Sequence, residues 1–229
     1  MQGRPVPRVR DFAEPRQGLD ALAAWLACAA HDEAASIHAF RALGCELAAL
    51  GAPPELLARV EAAELDEVRH AASVSALARS VGAEVFAPEV AAVPARTLLA
   101  IAVENAVEGC VRETWAALVA AHQARWAAHP AVRSVYRTIA ADEARHAELA
   151  WAIDSWLSGQ LDADGRARVV QARRTAADAL AAHLATATDA PELAALGLPA
   201  ARVAAELFAG LDSALGSGRR GEGVRPASP

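Results

Sequence analysis

One short segment is written twice in this chain: Asp66-Glu67-Val68-Arg69-His70-Ala71 and Asp142-Glu143-Ala144-Arg145-His146-Ala147. In each, Glu and His stand three positions apart, and a helix turns such residues onto one face. The run from Glu33 to Phe40 matches Glu108 to Trp115 in spacing, and each lies upstream of one copy of the segment. Glu33 precedes Glu67 by 34 residues and Glu108 precedes Glu143 by 35. A carboxylate, then a carboxylate–imidazole pair about one helical hairpin later, repeated in both halves, leaves few folds open.

The surrounding pattern is helical. Hydrophobic residues make up 54% of the 229, but much of that is alanine and aromatics are only 4%. Alanine is the strongest helix former, and strand-type runs are scarce, so an all-α protein is expected. Apolar residues recur on one face from about 19 to 50 through Leu22, Leu26, Ala29, Glu33, Ile37, Phe40 and Leu47. Gly51-Ala52-Pro53-Pro54 ends that helix and starts the next, about 54–80, with Leu57, Val60, Ala63, Glu67, His70, Val74 and Leu77 inward. A third helix, about 95–128, carries Ile101, Glu104, Glu108, Val111, Trp115 and Leu118. His129-Pro130 breaks it, and a fourth runs to about Leu157 through Tyr136, Ile139, Glu143, His146 and Ile153.

Short turns make each pair an antiparallel hairpin. The link from Val81 to Pro94, about 13 residues, reaches roughly 40 Å when extended, at about 3.3 Å per residue. A 28-residue helix is about as long, at about 1.5 Å per residue, so one long crossover can start the second hairpin from the opposite end. The expected organisation is an irregular arm at 1–18, a four-helix bundle at 19–158 and two accessory helices within 159–215. A disordered tail is expected at 216–229. The Ala- and Arg-rich fifth helix should either pack across the bundle or form a subunit interface, as in a homodimer.

Residues at equal depth in a hairpin are equidistant from its turn. Glu33 and His70 straddle Gly51 almost symmetrically, and Glu108 and His146 straddle residue 127. All six candidates, Glu33, Glu67, His70, Glu108, Glu143 and His146, are therefore expected at one level of the bundle. Four carboxylates buried among apolar helices require cations. Two divalent metals balance four Glu, and two neutral imidazoles complete the set. Mixed carboxylate–imidazole ligation suits iron, a mixed Fe/Mn pair or manganese better than zinc. Glu33 and His70 are assigned to one metal, Glu108 and His146 to the other, with Glu67 and Glu143 bridging. Asp66 and Asp142 either reach the histidine of the opposite copy, with Arg69 and Arg145 paired to them, or pair with those arginines along their own helices.

The layout Glu…Asp-Glu-x-Arg-His, twice over, resembles the ferritin-like di-iron carboxylate superfamily, which includes ferritins, rubrerythrins, ribonucleotide reductase small subunits and bacterial multicomponent monooxygenases. The resemblance covers about residues 19–157 and is specific for the superfamily rather than for a member. The block from Glu104 to Trp115 is similar to bacterial ferritin-like proteins. Departures narrow the choice. The chain lacks the paired C-x-x-C module of rubrerythrins, and its single tyrosine, Tyr136, lies on the wrong helix for a reductase radical. Tyr136 is expected in the core or in a substrate-pocket wall.

What this implies is an oxidoreductase that activates dioxygen or peroxide at two iron ions to oxidise a small molecule, with electrons from an external donor. The alternatives are a ferroxidase, for which iron is the substrate, and a partner-binding bundle stapled by metal. Glu64 and Glu104, one turn before ligand candidates, are either auxiliary carboxylates or margin residues, and Arg112 either neutralises Glu104 or holds an acidic substrate group. His31, His38, His122, His129 and His183 are read as surface groups. The formal net charge of −6 argues against nucleic acid, and the arginines at 166, 168, 173 and 174 are read as a solvated helix face. No apolar run suits a membrane span. Three cysteines (Cys28, Cys45, Cys110) without C-x-x-C spacing, and a polar start, point to a reducing, cytoplasmic setting.

Overall fold

The computed structural model describes residues 21–90, 95–186 and 195–217, and all its regular elements there are helical. The arm expected at 1–18 and the tail beyond Ser217 lie outside the described residues. Helices α1 (Ala21–Ala49) and α2 (Pro54–Ser80) form the first hairpin. Gly51, at φ 77°, takes the left-handed conformation that ends α1, and Pro54 opens α2, where a missing N–H costs nothing. The second hairpin begins with one continuous rod over 98–126: α3 (Leu98–Glu104), a π-helical segment (Asn105–Glu113) and α4 (Thr114–Trp126). The Thr97 hydroxyl accepts from the Ala100 amide at 3.2 Å and caps the rod. Its partner is α5 (Pro130–Ser158), followed by α6 (Ala163–Thr186) and α7 (Ala201–Ser217).

α1 packs on α2, the rod packs on α5, and α2 packs on α5 between the hairpins. The apolar interior divides into two clusters. One joins Ala23 and Leu26 of α1, Val74 and Leu77 of α2, Ala120 of α4, and Val132, Tyr136 and Ile139 of α5. The other joins Leu47, Leu56, Val60, Ile101, Ala106, Ile153 and Leu157. Thus α1 and α5 run from the first cluster to the second, while α2 and the rod run the other way. Between them lies a polar layer in which Asp66, Glu67, His70, Asp142, Glu143 and His146 are all buried. Two apolar plugs hold that layer away from water, and isolated buried charge is tolerated only where something compensates it.

The link between the hairpins crosses from one end to the other. Near its start, the Phe86 carbonyl meets His31 Nδ1 at 3.1 Å, and Ala83 is buried in the first cluster. Past residues 91–94, which are outside the described set, Arg96 clamps Glu46 and Glu104. His31 and Glu46 are separated by some 22 Å of helix, at about 1.5 Å per residue.

α6 lies against α3 and the π segment, so it packs across the bundle. Arg173 of α6, expected on a solvated face, instead pairs with Asp154 at 2.5 Å and stacks over Trp151. His31 and His122 are also not free surface groups. His122 Nδ1 meets the Gly197 carbonyl at 2.7 Å, and Gln123 donates to the Leu196 carbonyl at 3.2 Å. Gly197, at φ 66°, sits so close to Ala127 that a Cβ would lie 2.3 Å from its backbone nitrogen. The 195–198 segment thereby closes the first-cluster end, with Leu196 fully buried.

Candidate metal centre

Five of the six residues singled out by spacing converge on the polar layer. Glu33 (α1), Glu67 and His70 (α2) and Glu143 (α5) bring ligand atoms within 4.8 Å of one another, and a second group joins Glu143 and His146 of α5 to Glu113. The histidines face inward through Nδ1. His70 Nδ1 lies 3.4 Å from Glu33, 3.8 Å from Glu67 and 3.5 Å from Glu143. His146 Nδ1 lies 3.1 Å from Glu67 and 3.7 Å from Glu143. Both Glu67 and Glu143 therefore lie beside both imidazoles. Both Nδ1 atoms are buried without a hydrogen-bond partner. A buried imidazole nitrogen seldom goes unmatched, and two of them aimed into one carboxylate cluster fit a cation.

The outer nitrogens are held across the two halves. His70 Nε2 meets Asp142 Oδ2 at 3.0 Å, and His146 Nε2 meets Asp66 Oδ2 at 3.3 Å. Each aspartate is clamped by arginine from both copies. Arg69 pairs with Asp66 and stands 3.8 Å from Asp142, while Arg145 bonds Asp142 at 2.5 Å and Asp66 at 3.1 Å. The two arrangements that spacing left open, crossing between copies and pairing along one helix, thus coexist. A carboxylate on Nε2 places the proton there and leaves Nδ1 its lone pair for a metal. Asp142→Asn and Asp66→Asn are each expected to weaken metal binding by ~10–100-fold while the helical content stays unchanged, checked by competition with a chelator.

Crowding shifts the acids. Burial above all, then the charges of Glu33 and Glu143, pushes the Glu67 carboxyl up to about 10. Burial, with Glu143 and Glu67 nearby, likewise carries Glu113 well above the ordinary carboxylate range. Burial disfavours a charged His70, but the carboxylates of Glu143 and Glu33 close to Nδ1, and Asp142 on Nε2, outweigh it and raise the imidazole to about 11. Asp142 moves the opposite way: its burial is outweighed by His70 and Arg145, which lower its pKa.

Glu108 does not join this cluster. Its carboxylate bonds Arg112 at 3.0 Å and is one-third exposed, and Glu113 stands in the place expected for it. The stretch Asn105–Glu113 is π-helical, so its residues leave the 3.6-residue register from which Glu108 was expected to face inward. Contacts with α5 favour that turn. Asn105 Nδ2 donates to the Ala150 carbonyl at 3.0 Å, and Gly109 lies so near that a Cβ would stand 2.8 Å from the Ala150 Cβ. Gly109→Ala should therefore force the rod off α5 at a cost of ~1–3 kcal/mol, read from denaturant unfolding. A sequence signal for Glu113 did exist. Glu33 and Glu67 each lie seventeen residues from Leu50, and Glu113 and Glu143 each lie fifteen from Ala128. Pairing glutamate with glutamate about the turn, rather than glutamate with histidine, selects Glu113.

The remaining candidates lie outside the cluster. Glu64 pairs with Arg41 at 2.6 Å, Glu104 with Arg96, and Arg112 with Glu108 rather than Glu104. Tyr136 lines a cavity of about 230 Å³ that adjoins the cluster between α1 and α4. Its floor carries Glu33, Glu67, Glu113 and Glu143, its walls include Trp25, Ala29, Val119 and Ile139, and Asp32 and Ala116 are exposed at its mouth. Gln123 lines it too, beside Tyr136. Burial first, then the charge of Glu33, raises the pKa of the phenol, so Tyr136 keeps its proton as a donor.

Fold and site together define an all-helical protein with buried Glu/His groups that can hold metal ions. No protein-family model, curated protein or solved structure matches the chain. Among the described residues, no helix is long and apolar enough to cross a membrane.

Proposed function

We propose that this chain is a ferritin-like di-iron oxidoreductase: a four-helix bundle with one long crossover that holds two metal ions and oxidises a small molecule with dioxygen or peroxide. The observation that carries the reading is the pair of buried, partnerless Nδ1 atoms of His70 and His146, each backed on Nε2 by an aspartate from the other half. Four glutamates, Glu33, Glu67, Glu113 and Glu143, would supply the charge that two divalent cations neutralise, and Glu67 and Glu143, each beside both imidazoles, would be the carboxylates shared between them. Oxygen-rich ligation with two imidazoles favours iron, or an Fe/Mn or Mn pair, over structural zinc. A redox-active metal pair held there would supply electrons and open positions for dioxygen or peroxide.

The protein's own part is to hold, orient and exclude. The two apolar clusters keep bulk water from the layer, and the Asp–Arg clamps hold the imidazole rings in register. The cavity against Glu33, Glu67, Glu113 and Glu143, walled in part by Trp25, Ala29, Val119 and Ile139, favours an organic substrate over iron itself, which gains nothing from apolar walls. Electrons come from an external donor, since the chain has no flavin or nicotinamide fingerprint.

Elemental analysis, with absorption spectra before and after reduction and exposure to air, tests this. About two iron per chain and an oxygen-dependent band are expected. Zinc alone, or no metal after anaerobic iron loading, would sink the reading.

A further inference from the structure

The cavity between α1 and α4 has a polarity that narrows what it can hold. At one end stand Glu33, Glu67, Glu113 and Glu143, and the walls between are small or apolar: Ala29, Val119, Ala120 and Ile139 with the Trp25 ring. Three uncharged polar side chains, Ser36, Gln123 and Tyr136, also line it, and the last two are almost wholly buried, at 1% and 4% exposure. Gln123 is fixed by the Leu196 carbonyl, and the Tyr136 ring is braced by Trp25 at 6.4 Å between centroids. Rigid polar groups set between apolar walls are what orients a ligand.

Size and charge add two limits. A volume of about 230 Å³ lies below the ~300–1,000 Å³ of pockets for drug-sized ligands, so the occupant is one ring or a short chain. The lining includes five carboxylates and no lysine or arginine. Two divalent metals would neutralise four of those carboxylates and leave no surplus positive charge for an anion. A substrate carboxylate or phosphate would then be buried without a counter-ion, which is costly.

We infer that this cavity binds a neutral, mainly apolar single-ring or short-chain molecule bearing one hydroxyl or carbonyl group, which Gln123 and Tyr136 hold while its apolar carbons face the metal layer. The inference rests on the proposed metal site for the reaction that follows, but the binding itself is set by the cavity. Gln123 and Tyr136 are positioning residues, and their effect lies in affinity and orientation.

Calorimetric titration of the full-length, metal-loaded protein with benzyl alcohol, toluene and benzoate tests it. Benzyl alcohol is expected to saturate and to bind at least about tenfold more tightly than benzoate. Tyr136→Phe and Gln123→Leu should each weaken benzyl alcohol by up to about tenfold and leave toluene unchanged. Tyr136→Phe keeps the ring packing and so remains informative if Gln123→Leu unsettles the 195–198 segment. Benzoate binding as tightly as benzyl alcohol, no saturable binding of any probe, or benzyl alcohol affinity unmoved in Tyr136→Phe overturns the inference. Elemental analysis of the same samples separates the two ideas. Absent metal with selective benzyl alcohol binding defeats the oxidoreductase reading and keeps the cavity, whereas two metals with no selectivity defeats the cavity alone.

Discussion

Glu113→Ala should cost the protein metal, while Glu108→Ala should not. Removing Glu113 takes a carboxylate from the group that includes Glu143 and His146. Because losing even a residue that only supports a ligand lowers affinity by ~10–100-fold, losing the ligand itself should cost at least that and leave no more than about one metal per chain. Glu108 faces Arg112 at a part-exposed position, so its loss removes a surface pair of small value. The metal-free proteins should behave in the reverse order to intuition. Burial first, then the neighbouring Glu143 and Glu67, raises the pKa of Glu113, so Glu113→Ala removes a carboxyl that is costly to bury and should leave the unloaded fold at least as stable as the parent. Metal titration of both variants, followed by elemental analysis, is the check. Equal metal content in the two would place the ligand set elsewhere.

Metal loading should reverse the dependence of stability on pH. In the absence of metal, Glu67 is raised to about 10 and His70 to about 11, whereas an unfolded Glu titrates near 4.5 and an unfolded His near 6.5. The folded chain then holds protons that the unfolded chain has released. Stability from these groups is fully present below the unfolded values and is lost as pH rises through the folded ones, so the unloaded protein should weaken steadily between about pH 4.5 and 11. Divalent metal displaces those protons, so its binding tightens as pH rises and releases protons as it occurs. At a metal concentration about a thousandfold above Kd the gain is ~4 kcal/mol, or ~8–16 °C in Tm for a chain of this size. Thermal unfolding at pH 6 and pH 9, with chelator and with anaerobic Fe(II) or Mn(II), measures it. A Tm indifferent to metal, or an unloaded protein more stable at pH 9 than at pH 6, would contradict the account.

The helices were legible because their signals are local. Gly51 and Pro54 at one turn and His129-Pro130 at the other mark breaks in chain direction whatever surrounds them, and alanine favours helix in any context. The convergence of Glu33, Glu67, His70, Glu143 and His146 was legible for the same reason. A three-residue spacing and equal distances from a turn fix depth and face on any regular hairpin. The arithmetic failed on the one helix that is not regular. It assumed 3.6 residues per turn through Asn105–Glu113, where the chain takes a wider turn.

Local spacing therefore determined the class of fold and most of the charged layer. Tertiary contacts decided the rest. Glu113 enters the layer and Glu108 leaves it, in a π turn that Asn105 and Gly109 brace against Ala150 of a helix some forty residues away in the chain. Asp66 and Asp142 serve the histidines of opposite halves because α2 and α5 lie side by side. The cavity lies where Ala29 and Ser36 of α1 and Ala116 and Ala120 of α4 leave a cleft between the helices, with Gln123 pinned from outside by Leu196. Each of these depends on atoms meeting across the bundle. A single chain of letters records which residues can turn the same way, but not how closely two helices approach.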